Sequence, residues 1–137
     1  MKLKSLLLVC GVSLFNNVYA GNIHTHQPSN NLVQAAADKA VMRPSNCQIE
    51  IINNSYNDVR VFGIFDDSTT VDFFVYRYDP VQYIDLYYHG YCHPNMFITL
   101  QTPYSTIYSN YTDVYSTLTV YPSLAKATME KVEVKNK

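Results

Sequence analysis

Between Cys47 and Pro122 the chain breaks into short runs dominated by Val, Ile, Thr, Tyr and Phe, in which apolar side chains recur at every second position. Alternation of this kind sets one face of a pleated strand against a core and the other against water. A helix needs its apolar residues three or four apart instead. Ile49 and Ile51 fall on one side of such a strand, and Gln48 and Glu50 on the other. The runs are Cys47–Ile52, Asp58–Phe65, Val71–Tyr78, Tyr83–Tyr88, Met96–Gln101 and Tyr115–Tyr121, with Thr106–Tyr108 as a candidate seventh. Asn, Asp, Ser, Gly and Pro fill the intervals at 53–57, 66–69, 79–80, 90–95 and 103–113, which read as turns and loops. Closely spaced short strands of this kind predict an all-β fold, a small antiparallel β-sandwich, Ig-like in its six or seven strands, with a small barrel as the alternative.

The flanks have a different composition. Met1–Lys4 is basic, Leu6–Phe15 is an apolar run broken by Gly11 and Ser13, and the polar stretch after it ends in Val18-Tyr19-Ala20. This is the three-part pattern of a cleavable export signal, so residues 1–20 are expected to be removed after Ala20. The apolar run is about half the roughly 20 residues that span a bilayer, and no later segment approaches that length. Lipidation at Cys10 is the lesser alternative, because Val9 stands where a small residue is required. Residues 21–44 are polar, with a short helix expected over Leu32–Val41, capped by Asn30 or Asn31 and ended by Arg43-Pro44. Residues 45–122 form the expected β-domain. Residues 123–137 have few large apolar groups and are expected to form a charged, flexible or helical extension.

Loss of the signal leaves Cys47 and Cys92, and an even pair in an exported chain predicts a disulfide. Lys2 and Lys4 leave as well, so ten basic residues become eight against eleven acidic ones, a net charge of −3. From Cys47 to Pro122 only Arg60 and Arg77 oppose Glu50, Asp58, Asp66, Asp67, Asp72, Asp79, Asp85 and Asp113. Such an acidic body does not suit nucleic acid, whose phosphates require clustered Lys and Arg. The expected localisation is secreted or periplasmic.

Catalytic signatures are missing. Three dispersed glycines remain after cleavage, and no Cys-x-x-Cys, His-Glu-x-x-His or Gly-x-Ser-x-Gly motif occurs. His89 and His93 flank Cys92 and suggest a metal site, but they lack further donors, and a disulfide would occupy the cysteine. His24 and His26 form a second pair near the expected mature terminus, at the fourth and sixth positions, which misses the third position of a compact amino-terminal copper chelate. Asp66, Asp67, Asp79 and Asp113 stand at expected strand ends, as turn carboxylates do, and match no calcium-loop spacing. No cofactor is implied.

Twelve of the thirteen tyrosines survive cleavage. Tyrosine joins a broad apolar ring to a polar tip with few rotatable bonds, which suits recognition surfaces, although it is equally a strong strand former. The expectation is therefore a non-catalytic module that binds a protein or glycan at a cell surface or envelope. Its proposed contact residues are Tyr104, Tyr108 and Tyr111, in what reads as the longest loop. A small secreted hydrolase or metal-binding protein, using the aspartates or the His89/His93 cluster, is the alternative. Asn53 and Asn110 begin glycosylation-type triplets.

Overall fold

The computed structural model describes residues 21–27, 47–123 and 130–137. All regular structure among them is strand: β1 (Ile23–Thr25), β2 (Gln48–Asn53), β3 (Val59–Ile64), β4 (Thr70–Val75), β5 (Gln82–Asp85), β6 (Tyr87–Tyr88), β7 (Tyr91–Cys92), β8 (Asn95–Gln101), β9 (Thr106–Asp113), β10 (Ser116–Pro122) and β11 (Glu130–Asn136). The helix expected over Leu32–Val41 lies outside the described residues.

Two larger sheets and one hairpin result. The five-stranded sheet has the order β1-β5-β2-β10-β11, the four-stranded sheet β4-β3-β8-β9, and β6 pairs with β7. One core cluster draws on both larger sheets. It includes Ile49 and Ile51 of β2, Ile84 of β5 and Leu118 and Val120 of β10, together with Val59 and Val61 of β3, Val75 of β4 and Met96, Ile98 and Leu100 of β8. The inward residues of β2 and β8 alternate strictly with half-exposed ones, as the period-two pattern requires. Gly63 is the small member of the inward set, since a β-carbon there would lie 2.5 Å from Met96 Cε and 2.8 Å from Val71 Cγ1.

Three expectations are corrected. The sheets are not wholly antiparallel, because β1 runs parallel to β5 and β2 parallel to β10. Residues Glu130–Asn136 of the expected extension are neither helical nor a loose tail. Seven residues of β11 pair antiparallel with β10, bringing Val132 opposite Val120 and Val134 opposite Leu118. This pairing continues the apolar face while Lys131, Glu133 and Lys135 occupy the alternate positions, and charges on an edge strand block further strand addition. Finally, the interval 103–113 is not a long loop. A turn at Pro103–Ser105 leads into β9, which pairs with β8 from Asn95↔Asp113 to Gln101↔Thr106 with a bulge at Leu100/Gln101.

Cys47 and Cys92 form a disulfide pair with their α-carbons 5.8 Å apart. The pair ties the β6–β7 hairpin to the start of β2. There the Leu86 amide also donates to the Cys47 carbonyl at 2.8 Å, and the His93 amide to the Leu86 carbonyl at 3.0 Å.

Candidate functional site

Two turns and the end of β1 bring the histidines and acidic residues of distant segments together. The hairpin between β6 and β7 has two central residues, His89 and Gly90, both with positive φ, 52° and 86°. That combination matches the right-handed twist of a two-residue hairpin and fixes where His89 projects. Between β3 and β4, Asp67 Oδ1 accepts from the Thr69 amide at 3.0 Å and the Thr69 hydroxyl at 2.7 Å, while Ser68 takes φ 67°. With Oδ1 engaged in the turn, Oδ2 accepts from His26 Nε2 at 2.7 Å and lies 3.8 Å from His89 Nε2. The Thr69 hydroxyl and amide, followed by His26, hold the Asp67 carboxyl well below the usual carboxylate range.

His26 belongs to a stack of rings. Tyr88 lies between His26, at 4.1 Å and 5°, and His93, at 3.6 Å and 4°, and Tyr91 covers the far side of His93 at 4.0 Å. Phe65 meets Tyr88 and His26 edge-on. The Tyr88 hydroxyl donates to Asp66 Oδ1 at 2.6 Å, and His93 Nδ1 lies 2.7 Å from Asp66 Oδ2. Burial, then the neighbouring Asp66, pushes the Tyr88 phenol above its ordinary range, and the Tyr88 hydrogen bond is the foremost influence lowering the Asp66 carboxyl. With Nδ1 donating to Asp66, the buried Nε2 of His93 has no hydrogen-bond partner.

The expected grouping of the histidines is therefore rearranged. His89 joins His26 rather than His93, and the donors that gather are His26, Asp67 and His89, whose ligand atoms all lie within 4.8 Å of one another. His24 stands apart: its ring stacks on Phe73 at 3.4 Å, and Nε2 lies 3.1 Å from Gln82 Oε1. Asp79 accepts from the Tyr76 amide as a turn residue, and Asp113 ends β9.

Burial lowers the His24 pKa below 6.5, with the Gln82 bond acting the other way. A depressed folded pKa contributes stability that is fully present above 6.5 and is lost as pH falls through the lower folded value. His24→Phe is expected to flatten this part of the profile, read as the urea midpoint between about pH 7.5 and about pH 5. Parallel profiles for the two proteins would rule the assignment out.

The three proposed tyrosines do not share one surface. Tyr104 is 67% exposed in the turn before β9, and Tyr111 is 68% exposed on β9. Tyr108 instead packs against the core cluster, with its hydroxyl 2.9 Å from Thr112 Oγ1. Odd separation along a strand puts Tyr108 and Tyr111 on opposite faces.

Tyr111 belongs to a different aromatic surface. Register places Ile64 beside Phe97 and Phe97 beside Tyr111; Phe62 lies between Asp72 and Thr99, and Arg60 between Phe74 and Gln101. These residues occupy the face of the four-stranded sheet opposite Val59, Val61, Met96, Ile98 and Leu100, which point into the core. Phe74 is 51% exposed and stacks with Tyr76, while Phe97 and Tyr111 meet edge-on at 5.3 Å. Arg60 and Asp72 form a two-bond ion pair among the rings, at 2.9 and 2.5 Å. A groove of about 370 Å³ lined in part by Ile64, Phe97, Tyr111 and Asp66 borders this face. Sequence reasoning missed the surface because its members come from four strands, although Phe62, Ile64, Phe74 and Phe97 each sit at outward positions of a period-two run.

Of the two glycosylation-type triplets, the first has its asparagine inside the structure, with Asn53 Nδ2 donating to the Asn57 and Val75 carbonyls at 2.8 Å each. No helix among the described residues is long and apolar enough to cross a membrane. In comparisons with known proteins, no family model, no curated protein and no solved structure matches this chain.

Proposed function

We propose that this chain is an exported, non-catalytic recognition module with an Ig-like sandwich arrangement, and that it binds a protein partner through the outward face of its four-stranded sheet. One observation carries the reading: on the side facing away from the core, Ile64, Phe97 and Tyr111 form one cross-strand row, with Phe62 next to it on β3 and Phe74 further along on β4. Contiguous apolar surface of this kind is uncommon on a soluble chain unless another surface covers it, and aromatic residues dominate the energetic centres of protein interfaces. Rigid strands hold the rings in place before contact, which limits the ordering cost of association. A protein partner fits better than a glycan, because aromatic rings and Ile64 supply much of the face and its charged pair, Arg60–Asp72, is already satisfied internally. The disulfide supports an oxidising compartment, as the expected export signal requires.

A photo-crosslinker placed at Phe74 or Tyr111 is expected to capture one and the same protein from the producing culture, and a crosslinker at the exposed Tyr87 of the separate hairpin is not. The captured protein, once purified, should bind the Phe74→Ser/Tyr111→Ser double variant about tenfold or more weakly, while the thermal midpoint barely moves. Equal capture from all three positions, or binding that resists proteolysis of the partner but not removal of its sugars, would reject the protein-binding face.

A further inference from the structure

The geometry points to a binding site for a divalent transition-metal ion of the zinc and copper class, made by His26, Asp67 and His89. It lies outside the recognition face and does not depend on that reading. Two imidazoles and one carboxylate are a donor set that such ions take readily, and three protein ligands leave a position open for water or a fourth group. Bonds of about 2.0–2.2 Å in a tetrahedral arrangement put donor atoms about 3.3 Å apart. The donors here begin close to that: Asp67 Oδ2 is 2.7 Å from His26 Nε2 and 3.8 Å from His89 Nε2.

Each ligand is supported in the way a metal site requires. His26 is fixed by its stack on Tyr88 and its edge contact with Phe65, and its side chain is only 4% exposed. Asp67 is aimed by Thr69, which holds one carboxylate oxygen and leaves the other towards the two rings. Outer partners of this kind orient metal ligands and raise affinity. His89 is the adjustable member, with a side chain 60% exposed at a hairpin tip, so its ring can close the remaining distance without disturbing the core. Asp66, one residue away, takes the bonds from Tyr88 and His93 and adds a second carboxyl group beside the cluster.

The segments joined are far apart in sequence: the end of β1, the β3–β4 turn and the β6–β7 hairpin. An ion would act as a second clasp beside the disulfide. It would secure the N-terminal strand, whose described pairing is with β5.

The test is a calorimetric titration of the untagged protein with zinc alone. The variants are chosen to keep the turns: Asn tolerates the positive φ at position 89, and Asn at position 67 still offers an oxygen to Thr69. One zinc per chain is expected, with a rise in the thermal midpoint. His89→Asn and Asp67→Asn should each weaken binding by at least the roughly tenfold that loss of even an outer partner produces. Circular dichroism should show both variants folded. His24→Phe, outside the cluster, should bind as the parent does. The site is overturned if the parent protein takes up no zinc, if the two Asn variants bind as well as the parent, or if His24→Phe alone abolishes binding, which would indicate a chelate at the amino terminus.

Discussion

Replacing both Cys47 and Cys92 by Ser is expected to lower stability by about 4 kcal/mol, because the bond closes a loop with a sequence separation of 45. For a domain of this size that corresponds to a fall in thermal midpoint on the order of 15 °C or more. The loss should be felt first in the β6–β7 hairpin. Its strands are two residues each, and an isolated hairpin of that length has little stability of its own. What remains to hold it includes the Leu86–Cys47 and His93–Leu86 backbone bonds, the stack of Tyr88 with its two histidines, and the bonds of Tyr88 and His93 to Asp66. Calorimetry of the oxidised parent against the double Ser variant measures the effect. Midpoints within a few degrees of each other would mean that packing alone fixes the hairpin.

A chain ending at residue 129 is expected to lose most of its soluble monomer. Removing β11 uncovers one side of β10, whose Ser116–Pro122 sequence is β-prone and carries no charge. An uncharged, apolar strand with free amides and carbonyls on one side is a template for pairing with other chains. The Glu50 carboxylate keeps its bond from the Thr117 hydroxyl of β10, at 2.9 Å, but loses the one from Lys137 Nζ, at 2.5 Å. Size-exclusion chromatography and thioflavin fluorescence of the shortened chain read the outcome directly. A shortened protein that stays monomeric and melts as the parent does would show that β11 merely lies along a self-sufficient sheet.

These expectations depend on elements that were unequally legible from sequence. β2, β3 and β8 follow runs whose alternation is plain, because each has one face in a core and the other more exposed. β9 was obscured by Ser109 and Asn110, residues that favour turns locally but here are exposed positions, one on each face, of a strand held by β8. β11 did carry a signal, Val132 and Val134 between charged neighbours, but its low apolar content resembled a solvated tail. The His26–Asp67–His89 cluster left no local trace. It exists because β1 lies parallel to β5 across a span of some sixty residues, and long-range parallel pairing cannot be read from composition. The tight turn that presents His89 was not read as such, since the sequence suggested one strand over Tyr83–Tyr88 and a loop at 90–95, whereas β6 and β7 flank His89 and Gly90.

The parallel pairing of β2 with β10 has a consequence for how the protein is made. Thr117 of β10 lies against Glu50 of β2, 67 residues earlier, and β11 adds to β10 only from the last residues of the chain. A chain emerging amino terminus first cannot assemble its five-stranded sheet while it is still being threaded. The apolar β2 must wait, unpaired on that side, until β10 has come through. Contacts of such long sequence separation also slow folding. The five-stranded sheet therefore closes only once residues 116–136 are in place to pair with β2 and with each other.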